Sequence, residues 1–173
     1  MKYHYHNIRH NIDVIEQFQI IGEAEGLSKR ELLVLKIAAL FHDTGFLKTR
    51  KDHEAAGVEY FKIAATNQLL PEDIIQISQS IMATKMPQMP FNKMDKVLCD
   101  ADLDYLGRND YDTNSNNLLQ EIELVKKITP KEWMQVQEKF LKAHTYFTTT
   151  SQKLRNQNKN IVLNRIQQQL KIK

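Results

Sequence analysis

The residues able to do chemistry sit in three short stretches. In AALFHDTGF (Ala38 to Phe46) an apolar run, LLVLKIAALF (Leu32 to Phe41), ends on an imidazole and a carboxylate side by side, His42 and Asp43. A helix buried along that run carries the pair inside with it, and a buried charge must be paired or must coordinate a cation. Upstream, four of the six histidines fall within the first 43 residues, and His6 and His10 are four apart, a spacing that puts both on one helical face. Downstream, VLCDADLDYLG (Val97 to Gly107) interrupts an apolar helix with Asp100, Asp102 and Asp104. The outer two lie about 160° around a helix from Asp102, so only one side of it can face the pair.

The elements that must position these groups are helical. With only five Gly and four Pro, and no alternating β-branched run long enough for a sheet, the dominant period is that of a helix. A first helix is predicted over about 7 to 25, with Ile8, Ile12, Ile15, Phe18 and Ile21 on its apolar side and Gly26 ending it. Ser28, answered by Glu31 three residues later, opens a second helix that stops at Thr44-Gly45. The short antiparallel connection at Gly26 brings these two helices alongside each other. A third helix covers about 52 to 67, with Ala55, Ala56, Val58, Tyr60, Phe61 and Ala64 as its contact face. A fourth runs from Pro71, followed by Glu72 and Asp73, to about Ala83.

KMPQMPFN (Lys85 to Asn92) reads as a wall or lid, because its two prolines forbid helix continuation. Asn92 caps a fifth helix to about Leu106. GRNDYDTNSNN (Gly107 to Asn117) is a loop merging into a sixth that ends near Ile128. TPKE (Thr129 to Glu132) launches a seventh through about Phe147, and a last helix fills most of 151 to 171. The expectation is an all-α, single-domain bundle of about seven or eight helices. Residues 1–110 would form its core, and 111–173 would pack on that core as part of the same domain.

At 173 residues and 20.3 kDa the chain can bury a core without staples. Its 42% hydrophobic and 26% charged residues exclude a disordered or membranous composition. One cysteine, Cys99, allows no intrachain disulfide and fits a reducing compartment. MKYHYHNIRHN lacks the apolar core of a signal peptide, so a cytoplasmic location is expected. From Lys139 onward there are eight Lys/Arg and no Asp or Glu, which leaves sixteen basic against 21 acidic residues before it. From Lys153 onward these basic residues alternate with Gln and Asn and have no aromatic interleaving. They read as a solvated face complementing an acidic body, and nucleic acid is not expected as a partner.

His10, then His42-Asp43, then Asp102 resembles the H…HD…D signature of the HD superfamily of metal-dependent phosphohydrolases. The opening YHNIRHNIDV (Tyr5 to Val14) is also similar to a segment of cyclic-nucleotide phosphodiesterases of the same superfamily. The resemblance runs from about Tyr5 to Gly107. It implies an HD-type bundle in which His10, His42, Asp43 and Asp102 hold one divalent ion. Two neutral imidazoles and two carboxylates neutralise a dication, and mixed N/O ligation suits Mn²⁺, Fe²⁺, Co²⁺, Ni²⁺ or Zn²⁺, with Mg²⁺ admitted. His6 matches the histidine that protonates a leaving oxygen, and Asp43 is implied as proton acceptor as well as ligand.

His53, in KDHEAAG (Lys51 to Gly57), resembles the HxxxG element that some two-metal relatives use for a second ion. The further histidines those enzymes require are missing from ISQSIMATKMP (Ile77 to Pro87), so His53 is read as a phosphate contact or a partner of a ligand. Lys48, Lys85 and Arg108 are further candidates for phosphate contact. Tyr105 is read either as a base-stacking residue or as core. The implied activity is hydrolysis of a phosphoester, of a nucleotide or another small phosphorylated metabolite. The alternatives are an iron-dependent oxygenase, which needs more ligands than are found, and a non-catalytic metal or nucleotide sensor on the same fold. No membrane partner is expected, and the sequence leaves the oligomeric state open, a homodimer included.

Overall fold

A computed structural model of the chain describes residues 3–65 and 69–171. Among the described residues it has eight α-helices and no strand. They are α1 (Ile8–Ala24), α2 (Lys29–Phe41), α3 (His53–Ala64), α4 (Pro71–Ala83), α5 (Lys93–Asp102), α6 (Tyr111–Glu123), α7 (Pro130–Ala143) and α8 (Thr149–Lys171). Two 3₁₀ turns, Thr44–Leu47 and Asp104–Gly107, follow α2 and α5. No helix among the described residues is long and apolar enough to cross a membrane. The chain divides into two compact units, one of Ile8–Asp102 and one of the segment up to Asn7 with everything from Leu103 onward. The division falls directly after Asp102.

The first unit packs α1, α2, α4 and α5 around Val14, Phe18, Leu35, Ile77, Ile81 and Leu98, all fully buried. Its boundaries follow local chemistry. Gly26 takes a φ of +76° and ends α1, with the Leu27 amide donating back to Gly22 O at 2.8 Å. Ser28 and Glu31 form the reciprocal capping box of α2. Asn92 Oδ1 accepts from the Asp95 amide at 2.9 Å, while Asp95 Oδ2 accepts from the Phe91 and Asn92 amides, so α5 starts where its cap predicts.

Two expected faces are corrected. The buried stripe of α1 is His10, Val14, Phe18 and Ile21, while Ile8 and Ile12 face solvent. Isoleucines on both sides of this helix hide the true stripe from a reading of hydropathy. In α3 the buried residues are Glu54, Ala56, Gly57 and Phe61, and Ala55 and Ala64 are exposed. Glycine rather than alanine marks this contact, because α3 meets the turn after α2 backbone to backbone. A methyl group on Gly45 would lie 1.8 Å from His53 O, and one on Gly57 would lie 2.6 Å from Phe41 O.

The second unit packs α6, α7, α8 and the Asp104–Gly107 turn around Tyr5, Tyr105, Leu106, Leu141, Tyr146 and Ile166. Tyr105 is therefore core, its ring 5.5 Å from that of Tyr5 and stacked 6.2 Å from Tyr111. α5 stops at Asp102 rather than Leu106, and α6 begins at Tyr111 inside the stretch read as a loop. There Tyr111 is buried and its hydroxyl accepts from Gln137 Nε2 at 2.9 Å. α7 ends at Ala143 rather than Phe147, because the chain turns extended at His144 and buries Tyr146. α8 starts at Thr149, with Thr148 Oγ1 accepting from the Ser151 amide. The predicted third helix to residue 67 ends in residues 66–68, which lie outside the described residues.

The backbone contact between Gly45 and α3 is what fixes the turn carrying Asp43. Gly45→Ala is expected to destabilise the fold by about 2 kcal/mol or more, since the methyl would meet backbone that cannot move aside. Denaturant unfolding of the two proteins measures this; equal midpoints would contradict the close approach.

Candidate metal centre

The first unit brings three helix-borne segments to one point. His10 comes from the buried stripe of α1, His42 caps the C-terminus of α2, Asp43 follows it, and Asp102 is the last residue of α5. His42 is almost fully buried, and its Nδ1 donates to Ala39 O at 2.8 Å, one turn back along its own helix. That bond leaves Nε2 as the ring atom turned toward the carboxylates. Nε2 of His42 lies 3.3 Å from Asp43 Oδ2 and 3.5 Å from Asp102 Oδ1. Nε2 of His10 lies 3.4 Å from Asp43 Oδ2 and 3.2 Å from Asp102 Oδ1. His10, His42 and Asp43 each offer a ligand atom within 4.8 Å of the others, and the Asp102 distances extend the set.

The His10–Asp102 distance is that of a hydrogen bond, the other three are longer than a good one, and all four match donors around a common ion. Atoms about 2.1 Å from one ion stand about 3.0 Å apart at adjacent octahedral positions and about 3.4 Å apart at tetrahedral ones. The buried Nε2 of His42 makes no well-directed hydrogen bond among the described residues, although two carboxylates stand beside it. The donor set therefore fits a divalent cation.

Electrostatics agree. Burial works most strongly against charge on His42, yet Asp43 and Asp102 outweigh it and hold the imidazole well above its usual pKa. Burial likewise pushes Asp102 up, and His10 and His42 overcome it, bringing the carboxyl down to about 2. Such a site holds positive charge in some form, as protons or as a metal that displaces them.

His53, at the start of α3, stands beside this set. Its Nε2 is 3.4 Å from Asp43 Oδ1 and 3.5 Å from Glu54 Oε1, and its ring stacks on Phe46 with centroids 3.9 Å apart. Asp43 thus turns one oxygen to His10 and His42 and the other to His53. Glu54, buried next to His53, was not a sequence candidate; an acid on a helix's first turn looks like an ordinary dipole partner. Lys48 and Lys85 are both exposed and each faces a carboxylate, Lys48 that of Glu59 at 2.8 Å and Lys85 that of Asp52. Asp100 is buried on the same helix as Asp102, and the imidazoles face Asp102.

His6 and Arg108 belong to the second unit. His6 precedes α1 instead of sharing a helical face with His10, because the helix starts at Ile8. Its Nδ1 is 2.6 Å from Glu121 Oε1, while Glu121 Oε2 accepts from the backbone amides of Tyr5 and His6, both at 3.0 Å. Glu121 is almost fully buried and was invisible in the sequence, where it is one acid among several on α6. Arg108 pairs with Asp110 and reaches Asp104 at 3.6 Å. Asp104 is also bound by Arg155 Nε at 2.7 Å, which removes it from contention as a ligand.

No family model matches the chain, and no curated protein does. Among solved structures it is similar to a predicted HD superfamily hydrolase from an uncultured Thermotogales bacterium, with a TM-score of 0.63 and 21% identity. The likeness covers 95% of this chain and 80% of that one. At this identity it shows the fold: the chain has an HD-type helical fold.

Burial pushes the Glu121 carboxyl up, but the His6 ring and the two backbone amides outweigh it, so its folded pKa lies below the usual carboxylate range. A group depressed in this way stabilises the fold above its unfolded pKa, and that stability is lost as pH falls through the folded value. Glu121→Gln is expected to flatten the acid limb of the stability profile, measured by denaturant unfolding from about pH 7 to pH 3. An unchanged acid limb would show that the His6–Glu121 pair contributes nothing.

Proposed function

We propose that the protein is a metal-dependent phosphohydrolase that cleaves a phosphoester, of a nucleotide or another small phosphorylated metabolite. The observation that carries this reading is the approach of two imidazole Nε2 atoms to two carboxylate oxygens at 3.2–3.5 Å inside one unit, and the HD-type fold supports it. His10, His42, Asp43 and Asp102 would hold the ion, and two nitrogen donors favour Mn²⁺, Fe²⁺, Co²⁺, Ni²⁺ or Zn²⁺. A divalent ion in that set supplies Lewis acidity, which activates water and polarises a phosphoryl oxygen.

The chain's own residues do the rest. Asp43 takes the proton of the attacking water through a carboxylate whose second oxygen is steadied by His53. His53 contacts the phosphate. Lys48 and Lys85 have their charge balanced by Glu59 and Asp52, which leaves the metal centre and His53 to offset that of the substrate. The sequence resemblance gives His6 the role of proton donor to the departing oxygen, and within the second unit Glu121 at its Nδ1 leaves Nε2 as the atom that would transfer the proton.

The test is a panel of nucleoside monophosphates, cyclic nucleotides and generic phosphoesters with added Mn²⁺, Ni²⁺ or Co²⁺, alongside elemental analysis of the protein. Asp43→Ala is expected to lose both metal and turnover, and retention of both would overturn the assignment. His6→Ala is expected to lower turnover by about 10²-fold or more with metal content intact. Nucleotide binding without release of phosphate or alcohol would replace catalysis by sensing.

A further inference from the structure

The loop between α4 and α5 is rich in exposed apolar side chains, Met86, Met89 and Phe91 among them, yet Gln88 in its middle is half-buried. The loop is pinned on either side of this residue. The Met89 amide donates to Ala83 O at 3.2 Å, and α5 begins at its own cap three residues beyond Pro90. With the main chain fixed there, Gln88 reaches back along α5. Its Nε2 donates to Asp102 Oδ2 at 3.3 Å and to Cys99 O at 3.2 Å, while its Oε1 is buried and has no hydrogen-bond partner among the described residues. Both neighbours are acceptors, so the amide nitrogen, not its oxygen, must face them.

We propose that Gln88 is a positioning residue for the metal centre, holding Asp102 so that a single oxygen, Oδ1, faces His10 and His42. The inference rests on the reading of those residues as ligands. A carboxylate turns easily about its last torsion, and two equivalent oxygens would otherwise compete for the same place. Tying Oδ2 to a neutral amide removes that freedom and adds no charge to a site that already carries two carboxylates. A lysine in the same place would bring a positive charge that opposes a cation; glutamine does not. The loop predicted as a wall or lid thereby also sets ligand geometry. Partners of this kind contribute about 10–100-fold to metal affinity.

Gln88→Met keeps the length of the side chain and removes both hydrogen bonds. Co²⁺ affinity is read by chelator competition, the Co²⁺ absorption spectrum reports ligand geometry, and thermal unfolding of the metal-free protein reports the loop. The expected result is a 10–100-fold weaker Co²⁺ affinity and an altered spectrum, with the metal-free Tm within about 2 °C of the parent. Parent-like affinity and spectrum would overturn the proposal. So would a weaker affinity with an unchanged spectrum and a matching loss of metal-free stability, which would make Gln88 only an anchor for the loop through Cys99 O. Gln88→Ala provides the same comparison where the Met variant does not fold. Failure of the parent protein to bind Co²⁺ would instead overturn the metal centre itself.

Discussion

Two imidazoles and two carboxylates held within a few ångströms of one another in a helical interior are unstable on their own terms. Burial opposes unpaired charge in such a place, and none of the four can retreat to water without disrupting the helix or turn that carries it. The structure accepts this because each group's charge is answered by the others. Asp43 and Asp102 hold His42 well above its usual pKa, and His10 and His42 hold Asp102 at about 2. A dication meets the same demand with one species in place of several protons, and so a metal suits the site.

The scaffold fixes each of these four residues by an interaction that does not involve the other three. His10 stands on the stripe that packs α1 into the core, so its ring cannot leave without exposing that face. His42 is tied by Nδ1 to the carbonyl of Ala39. The turn carrying Asp43 is pressed against α3 by glycine contacts too close for any side chain. Asp102 is met from the far side by the α4–α5 loop through Gln88. Rigid support of this kind keeps a charged constellation assembled before anything binds to it.

Charge in the second unit is settled by a parallel logic. Two buried acids, Asp104 and Glu121, are compensated by Arg155 and Arg108 in one case and by His6 with two backbone amides in the other. Part of the basic excess of the last stretch is spent here. Arg155 binds Asp104, Arg165 pairs with Asp112, and buried Lys159 donates to the carbonyl of His144. Part of what reads along the chain as an acidic body and a basic tail is, in space, a set of local pairs.

The sequence by itself determined the helices and the identity of the central residues. Caps and glycine stops act within four residues, so Gly26, Ser28, Asn92 and Thr129 mark real helix ends. The order His10, His42-Asp43, Asp102 was legible through its resemblance to the HD signature, and the structure sets those residues at helix ends or on a core stripe. Partner choice was not legible, and neither was the face an element buries when both faces look alike. Glu121 meets His6 across 115 residues, and Gln88 meets Asp102 across a loop. Ile8 and Ile12 mimic a core stripe that actually runs through His10 and Val14. Such pairings follow from packing between distant segments, which local periodicity does not encode, and only the folded chain could select them.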